Sequence, residues 1–352
     1  MSAIPATMRA VGFNDNLPID HPDSLLDITV DVPTVSGHDI LVQVKAISVN
    51  LIDAKLRGNR DFFRMLATQN PRQILGYDAA GVVVAVGSDV SLFKVGDEVY
   101  YAGSWVRQGT NAEYHAVDER IVGHKPTSLS FTDAAALPLT TLTAYEALFH
   151  HLNVPQKPST PSSNKTILVL NGAGGVGSVG IQLLKELTDV TVIASASRPE
   201  STAWVKQLGA DYIVSHAQDM PSQLAALGVP QVDYMLVNTE LEPLFDAVEA
   251  MIKPLGKICC ILPLVDKVAL DKLFYKSVTL VWELMFARPM HSTDDMVEQH
   301  RLLNHVSELV DAKRIHTTVN DHLGLIYAAN LKKAHAMLES HRVVGKVVLE
   351  GF

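Results

Sequence analysis

The pattern of apolar and polar positions divides the chain into two parts. From about residue 138 to about residue 286, short apolar runs alternate with segments whose apolar residues recur at helical spacing. The clearest pair is KTILVL (165–170) followed by VGSVGIQLLKEL (176–187). Strands that alternate with helices predict a parallel, doubly wound sheet. We therefore expect an α/β fold with a Rossmann domain over 138–286.

The first 137 residues have a different pattern. Strand-like runs such as DILVQVKAISV (39–49) and AAGVVVAVG (79–87) are separated by turn residues such as Val95-Gly96-Asp97. This pattern predicts a separate and mostly β domain over 1–137. The closing segment RVVGKVVLEGF (342–352) is again strand-like, and we expect 287–352 to complete that first domain.

A glycine-rich loop, NGAGGVGSVG (171–180), lies between the strand and the helix quoted above. Gly172, Gly174 and Gly177 form G-x-G-x-x-G, and Gly175 and Val176 lie within it. In this context the glycines allow a tight turn, close approach of a pyrophosphate, and close packing of helix on strand. The free N–H groups at the helix start would bind the phosphates. A flexible surface loop is the alternative, but the flanking elements favour dinucleotide binding.

The end of the second predicted strand indicates which dinucleotide is bound. NAD sites usually carry an Asp or Glu there, whereas this strand ends Ala196-Ser197-Arg198. Ser197 can donate a hydrogen bond, and the Arg198 guanidinium matches a 2′-phosphate. Lys206 and Tyr212 are weaker candidates for the same group. An ordinary exposed arginine at a helix start is the alternative; we predict NADPH.

Composition and charge narrow the function classes further. The net charge is −9 and no basic stripe is present, so nucleic acid is not an expected partner. The amino-terminal segment MSAIPATMRAVGF has no apolar core of signal-peptide length, and no apolar run reaches the length of a membrane span, so we expect a cytoplasmic protein with no membrane partner. The two cysteines are adjacent in GKICCIL (256–262), and we expect two buried thiols rather than a redox pair.

Several motifs together resemble one family. The segments are GYDAAGVV (76–83), VGDEVYYAG (95–103), NAEYHAVDERIVGHKP (111–126), AAALPLTTLTAYEAL (134–148) and AGGVG (173–177). In this order they resemble the medium-chain dehydrogenase/reductase superfamily, and within it the zinc-free branch similar to NADPH:quinone oxidoreductase, ζ-crystallin and zinc-type alcohol dehydrogenase-like proteins. The resemblance implies a GroES-like domain packed on the Rossmann domain, with the active site in the cleft between them.

The departures from the zinc-dependent members concern the metal ligands. Those members carry a cysteine where this chain has Asn50, a His-Glu pair where it has Tyr77-Asp78, and another cysteine near Leu139. Asn50 and Tyr77-Asp78 do not make a customary zinc ligand set, and leucine cannot bind a metal. With two cysteines in the whole chain, the four-cysteine structural zinc lobe is absent as well. We predict no metal.

The resemblance also implies which residues form the site. Asn50, Tyr77 and Thr143 are candidate catalytic residues, with Tyr77 as a donor of a proton or hydrogen bond. Asp53 matches a family position near the site, but it is equally well read as a helix N-cap. Further candidate cofactor residues lie at strand ends of the Rossmann domain or in segments that approach the cofactor in relatives: Asn238, Leu262, Pro263, Phe286 and Lys346.

Without zinc to polarise a carbonyl, the substrate itself must be electrophilic. Quinones and conjugated enones or enals meet that condition, so we predict an NADPH-dependent oxidoreductase that transfers hydride to such an acceptor. A non-catalytic NADPH-binding sensor or structural protein is the alternative. The apolar segment SVTLVWELMF (277–286) is expected at a sheet edge that needs covering, which predicts a homodimer.

Overall fold

The structure is a computed structural model that describes residues 4–59, 61, 72–157 and 164–352. The chain divides into two compact units, one formed by Met1–Leu139 with Phe286–Phe352 and the other by Thr140–Met285. The predicted Rossmann range, 138–286, differs from the second unit by no more than two residues at either end. The α/β class is confirmed: a parallel Rossmann-type sheet and separate, mostly β sheets are both present.

The amino-terminal segment of the first unit is mostly β, as its turn-punctuated sequence predicts. Its strands are β1 (Thr7–Phe13), β2 (Leu26–Asp31), β3 (Asp39–Val49), β4 (Gln73–Ile74), β5 (Ala79–Val86), β6 (Glu98–Tyr101), β7 (Tyr114–Asp118) and β8 (Val122–His124). The long strand β3 is buried along most of its length, and β5, β7 and the later strand β16 (Lys346–Glu350) all pair with it.

The second unit contains the parallel sheet. Its strands are β9 (Thr166–Leu170), β10 (Thr191–Ser195), β11 (Tyr212–Val214), β12 (Val232–Val237), β13 (Ile252–Cys260) and β14 (Thr279–Trp282). They lie in the order β11-β10-β9-β12-β13-β14, all parallel. Every residue of β9, TILVL, is buried, which is typical of a parallel strand covered on both faces.

Two strands near the carboxyl terminus belong to the first unit. They are β15 (Val319–His322) and β16 (Lys346–Glu350). The larger sheet of this unit has the order β15-β16-β3-β5-β6-β8, and β7 also pairs with β3. In this sheet β16 and β5 run antiparallel to β3 on its two sides. The amino-terminal ends of β16 and β5 therefore lie beside the carboxyl-terminal end of β3.

The helices connect and cover these sheets. They include α1 (Leu51–Gly58), α2 (Phe131–Ala135), α3 (Pro138–Tyr145), α4 (Gly175–Leu187), α5 (Pro199–Gln207), α6 (Met220–Ala226), α7 (Phe245–Met251), α8 (Ala287–His291), α9 (Glu298–Asp311) and α10 (Ala328–Glu339). A π-helical turn, Glu146–His151, continues α3. None of the described helices is long and apolar enough to cross a lipid bilayer.

One core cluster of the second unit is formed by residues of its sheet and of two helices. Leu168, Val237 and Ile258 from the strands pack with Leu224 of α6 and Phe245 of α7. The helical pattern in PLFDAVEAMIKP (243–254) predicts a longer helix than the structure has, because α7 ends at Met251 and β13 begins at the next residue. Similarly, only four residues of SVTLVWELMF form a strand.

The two cysteines are buried side by side on β13, as predicted. Burial raises the pKa of both thiols, to about 12 for Cys260. Successive residues of a strand point to opposite faces of the sheet, so the two side chains lie on different sides of β13.

Candidate functional site

The glycine loop brings the start of α4 very close to the end of β9. A Cβ atom on Gly177 would lie 2.6 Å from the Gly172 carbonyl oxygen and 2.7 Å from that of Asn171, so no side chain fits there. A Cβ on Gly172 would lie 3.0 Å from Cβ of Ala194. Because α4 begins at Gly175, the first N–H groups of the helix, including those of Gly175 and Val176, have no partner within the helix.

The loop is anchored to the carboxyl end of β10. The Asn171 N–H donates to Ser195 Oγ at 2.9 Å, and the Gly172 N–H donates to the Ser195 carbonyl at 3.0 Å. Asn171 has a positive φ of 52°, a conformation that asparagine tolerates better than most residues. These contacts fix the helix start at the edge of the sheet where the strands end, which is where ligands bind in open α/β sheets.

A buried and unpaired amide lies beside this loop. The Asn238 side chain is 8% exposed, and among the described residues neither its nitrogen nor its oxygen has a hydrogen-bond partner. Asn238 is adjacent to the loop, because its carbonyl accepts from Asn171 Nδ2 at 3.3 Å. Leaving a buried amide unpaired costs about 1–3 kcal/mol, and such a group calls for an explanation. A bound dinucleotide that pairs with the amide would provide one.

Arg198 and His216 form a basic pair next to the same strand end. Arg198 is half-buried at the start of α5, and Ser197 before it is exposed. His216 follows β11, and its Nδ1 lies 3.3 Å from Ser195 Oγ. Partial burial and the Arg198 charge lower the pKa of His216 below its ordinary value. Sequence reasoning missed His216, although a polar residue just past a parallel strand was an available signal.

The remaining predicted cofactor residues are dispersed. Leu262 and Pro263 come directly after β13, at the carboxyl end of the strand, and the Leu262 carbonyl accepts from Trp282 Nε1 at 3.1 Å. Tyr212 begins β11 and therefore lies at its amino end, while Lys206 is an exposed residue of α5. Their contact with a cofactor stays a prediction. Phe286 and Lys346 belong to the first unit.

In the first unit, the predicted metal-ligand positions of zinc-dependent relatives converge on one carboxylate. Asp78 is fully buried, and its Oδ2 accepts from Asn50 Nδ2 at 2.9 Å while its Oδ1 accepts from the Leu139 N–H at 2.8 Å. Asn50 Nδ2 also donates to the Tyr77 carbonyl at 3.3 Å. Asn50, Tyr77, Asp78 and Leu139 thus form one hydrogen-bonded group, which we call the Asp78 cluster.

Lys346 completes the Asp78 cluster. Its ammonium nitrogen lies 2.9 Å from Asp78 Oδ2, hydrogen-bonds Asn50 Oδ1, and lies 3.5 Å from the Val49 carbonyl oxygen. Its side chain is 4% exposed. The cofactor contact predicted for Lys346 stays a prediction, and the structure gives its three N–H groups three acceptors within the protein.

Asp53 is not a helix N-cap, so that prediction was wrong: Asn50 is the N-cap residue of α1, and Asp53 supports it from within the first turn. Asp53 is the third residue of α1, and its Oδ2 accepts from the N–H of Asn50 at 2.6 Å. Its Oδ1 accepts from the Gly76 N–H at 3.0 Å, so Asp53 also borders the Asp78 cluster. Burial raises the pKa of Asp53 to about 7, although the two N–H groups and Lys346 lower it.

Tyr77 is part of an aromatic wall that we define as Tyr77, Trp105 and Phe286. The Tyr77 and Phe286 rings meet edge to face with centroids 5.2 Å apart, and Trp105 stacks on Phe286 at 5.1 Å. Burial, followed by the Asp53 charge, raises the pKa of Tyr77 well above its ordinary value, so its hydroxyl stays protonated. Sequence reasoning missed Trp105, because it lies in a loop without periodic pattern.

Thr143 lies in the second unit, on α3, and is 6% exposed. Its neighbour Thr141 is fully buried, and its hydroxyl oxygen has no hydrogen-bond partner among the described residues. The role predicted for Thr143 near a nicotinamide stays a prediction.

The residues do not fit a zinc ion. Zinc sites in proteins use thiolate, imidazole and carboxylate ligands, usually four in structural sites and three plus water in catalytic ones. The Asp78 cluster offers one carboxylate, both of whose oxygens are already hydrogen-bonded. In the part of the chain that the structure describes, no group of three or more His, Cys, Asp or Glu side chains could hold a metal ion.

Comparison with known proteins identifies the family. Residues 36–127 match the alcohol dehydrogenase GroES-like domain, and residues 208–349 match the zinc-binding dehydrogenase domain. A zinc-type alcohol dehydrogenase-like protein of Staphylococcus aureus is 38% identical over 342 residues, which is 97% of this chain and 99% of that protein. This chain belongs to the medium-chain dehydrogenase/reductase superfamily. It is therefore an oxidoreductase of a family that depends on a nicotinamide dinucleotide.

Two further members of the superfamily are informative. A Rhizobium etli protein of known structure, named for the zinc-dependent alcohol dehydrogenases, is 47% identical with a TM-score of 0.92, and the match covers 99% of each chain. An NADPH-dependent alkenal/one oxidoreductase of Arabidopsis thaliana is 37% identical over 233 residues, 63% of this chain and 57% of that protein. The name of the first protein refers to zinc, and the name of the second refers to NADPH and to alkenal/one acceptors.

Proposed function

We propose that this superfamily member is an NADPH-dependent oxidoreductase that transfers hydride to a quinone or to a conjugated enone or enal, without zinc. The observation that carries the proposal is the Asp78 cluster, in which the positions of the relatives' metal ligands hold Asn50, Tyr77, Asp78 and Leu139. Without a Lewis acid to stabilise a developing alkoxide, an acceptor that delocalises the arriving charge itself is favoured over an isolated ketone.

The glycine loop and the Arg198–His216 pair support NADPH as the cofactor. The first N–H groups of α4 would bind the diphosphate, and the Asn238 amide would gain the partner that it lacks. The Arg198 guanidinium would bind a 2′-phosphate in charge-assisted hydrogen bonds. The end of β10 carries no carboxylate that would repel this phosphate. NADPH, when bound, supplies the hydride.

The aromatic wall supports a flat, conjugated acceptor. Tyr77 and Phe286 are 1% and 2% exposed, so Trp105, which is partly exposed, is the ring that such a molecule would contact directly by offset or edge contacts. The Tyr77 hydroxyl stays protonated at neutral pH, and no described residue hydrogen-bonds it. It can therefore donate a hydrogen bond to the oxygen that becomes negatively charged when hydride arrives, which stabilises the transition state.

The test is oxidation of NADPH and, separately, of NADH in chelator-treated buffer, with quinones and enones as acceptors and simple ketones as controls. The proposal expects NADPH turnover with the conjugated acceptors alone. Turnover that requires added zinc would refute it. Tight NADPH binding without turnover of any acceptor would favour the non-catalytic sensor or structural protein instead.

We also propose that the protein is a homodimer. Strand β14 lies at the edge of the parallel sheet, and the segment just before it exposes Phe274 by 80% and Tyr275 by 87%. An uncovered sheet edge flanked by large apolar side chains favours pairing with a second copy. Light scattering coupled to size-exclusion chromatography should give twice the chain mass of 38.3 kDa, and a monomer mass would refute the proposal.

A further inference from the structure

The Asp78 cluster contains a charged group for which a zinc-free site has no obvious need. Lys346 is buried to the same degree as its partners, and burying an ammonium group is costly unless it is paired and hydrogen-bonded. Lys125, another buried lysine of this unit, binds the backbone carbonyls of Pro126 and Leu129 and forms an ion pair with Glu98, whose side chain is exposed. Lys346 instead contacts a fully buried carboxylate, so its positive charge balances a negative charge inside the protein.

The position of Lys346 follows from strand register. Val347 of β16 pairs with Val49 of β3, which places Lys346 opposite Asn50, the residue that follows β3. Asp78 directly precedes β5, which pairs with β3 on its other side. Three adjacent strands, β16, β3 and β5, therefore deliver the ammonium, the amide and the carboxylate to one point at the edge of the sheet.

The contacts around this point resemble those of a bound cation. The acceptors of the Lys346 ammonium group are a carboxylate oxygen, an amide oxygen and a backbone carbonyl oxygen, all from residues at or beside the positions where zinc-dependent relatives carry ligands. A metal ion at this point would have to displace the ammonium group or lie in contact with it. Either event is unfavourable because the two cations repel each other in a buried environment.

We propose that Lys346 is an internal cation that takes the place of a metal ion: it neutralises Asp78, fixes the Asn50 amide that donates to the Tyr77 carbonyl, and keeps divalent metals out. Lys346 is thus a positioning residue, and the inference rests on the zinc-independent function proposed above. It explains why a chain whose carboxyl-terminal half matches a zinc-binding dehydrogenase domain lacks a zinc ligand set.

A double-mutant cycle tests whether the charge of Lys346 serves Asp78. The variants are Lys346→Met, Asp78→Asn and the pair together, with melting temperature as the readout. Lys346→Met leaves a buried carboxylate unpaired and should lower the melting temperature by roughly 10 °C. The double variant should recover at least half of that loss, since no charge is left unpaired. If the decreases in melting temperature of the two single variants add up in the double variant, Lys346 acts only through packing of its aliphatic side-chain stem. That result would overturn the inference.

Lys125→Met is the matched control. Lys125 has the same 4% side-chain exposure and also forms an ion pair, at 3.2 Å to Glu98, but it lies outside the Asp78 cluster. The decrease in melting temperature caused by Lys125→Met should be the same with and without Asp78→Asn, because the effects of substitutions at distant sites are additive. If Lys346→Met does not fold, the double variant carries the test: it should be soluble and folded, and its failure to fold would count against the inference.

The pH dependence of the melting temperature distinguishes an internal cation from a lysine that contributes only through packing of its side chain. In Lys346→Met, the unpaired Asp78 would bind a proton more readily in the folded state, so the deficit should shrink as the pH falls from 8 to 5. Asp53 and Tyr77 are the other titratable groups near Asp78, and loss of Lys346 also removes a charge that lowers the pKa of Asp53. The deficit is therefore compared with that of Lys346→Met in the Asp78→Asn background, where only the Asp53 contribution is left. The same deficit at all pH values would contradict the inference.

Metal analysis completes the test. After incubation with Zn²⁺ and desalting, the wild-type protein should retain no stoichiometric zinc, and retention of one zinc per chain would overturn the inference. None of these measurements uses turnover. If the conjugated acceptors prove wrong, the result for Lys346 still stands, and if Lys346 proves to be structural, the turnover assay is still interpretable.

Discussion

Each unit contains a buried polar group. The two groups differ in whether their hydrogen-bond donors and acceptors have partners within the protein. In the Asp78 cluster, the Asn50 amide, the Asp78 carboxylate and the Lys346 ammonium group satisfy one another. Beside the glycine loop, the Asn238 amide is almost as buried but has no partner among the described residues. The same side chain, an asparagine at a strand end, is thus satisfied in one unit and unsatisfied in the other.

The difference separates the two roles that a buried polar group can have. The Asn50, Asp78 and Lys346 groups, whose hydrogen bonds are satisfied within the protein, gain nothing from a ligand and stabilise their surroundings. An unsatisfied group raises the free energy of the ligand-free protein and lowers the cost of binding a molecule that completes its hydrogen bonds. We expect substitutions in the Asp78 cluster to reduce stability first and substitutions near the glycine loop to reduce cofactor affinity first.

The largest expected effect is on the glycine loop itself. Gly177→Ala places a Cβ within 2.7 Å of two backbone oxygens, so the loop or the start of α4 must shift. We expect the Kd for NADPH, measured by the change in nicotinamide fluorescence, to rise by roughly 100-fold, which corresponds to about 2.7 kcal/mol.

Gly180→Ala on the same helix is the control for that substitution. Its Cβ would lie 3.6 Å from the nearest atom, an ordinary van der Waals contact. It should leave the Kd within about twofold, because alanine also favours the helix. Equal losses in the two variants would mean that close packing at Gly177 does not shape the cofactor site.

The next largest effect concerns the choice between the two nicotinamide dinucleotides. Arg198→Ala should raise the Kd for NADPH by about 30-fold, since a charge-assisted hydrogen bond to phosphate contributes about 2 kcal/mol, while the Kd for NADH changes little. Isothermal titration of both dinucleotides measures the two values. Parallel losses would show that Arg198 does not discriminate the 2′-phosphate.

A matched pair of Asn→Ala substitutions tests the comparison directly. Asn50→Ala should reduce the free energy of unfolding by about 2 kcal/mol, because it removes partners of Lys346 and Asp78. Asn238→Ala should change it by less than about 0.5 kcal/mol and raise the Kd for NADPH about tenfold. Urea unfolding and cofactor titration of both variants are required, and a reversed order of stabilities would contradict the distinction between the two groups.

The smallest effect is a pH dependence due to His216. Its pKa is lowered in the free protein, and a bound phosphate would raise it, so NADPH binding should take up a proton. The affinity for NADPH should therefore fall as the pH rises, by about fivefold between pH 6 and pH 8 beyond any change for NADH. His216→Gln should remove the difference, and an unchanged slope in that variant would exclude His216 as its source.

The glycine loop shows how far local sequence reaches. A strand, three glycines at fixed spacing and a helix lie within twenty-three residues, 165–187, so the pattern contains the whole structure that it predicts. Asn238 was also predictable, since the carboxyl ends of parallel strands lie at one edge of the sheet. His216, which follows β11, has the same signal in the sequence.

The Asp78 cluster shows what local sequence cannot give. Asn50 and Lys346 are 296 positions apart, and they meet only because β16 pairs with β3 in one particular register. No periodicity in either segment specifies that pairing. Resemblance to the superfamily pointed to Asn50, Tyr77 and Asp78 as vacated metal positions, but it did not provide the ammonium group that lies among them.

The burial of the two cysteines affects how well the protein resists chemical modification by electrophiles. Quinones and enones, the acceptors proposed above, are electrophiles that alkylate thiolates, so an enzyme that reduces them would be exposed to inactivation by its own substrates. Cys259 and Cys260 are both buried, and burial raises the pKa of their thiols, to about 12 for Cys260, so neither is a ready nucleophile at neutral pH. Since the 352-residue chain has no other cysteine, it presents these molecules with no reactive thiol.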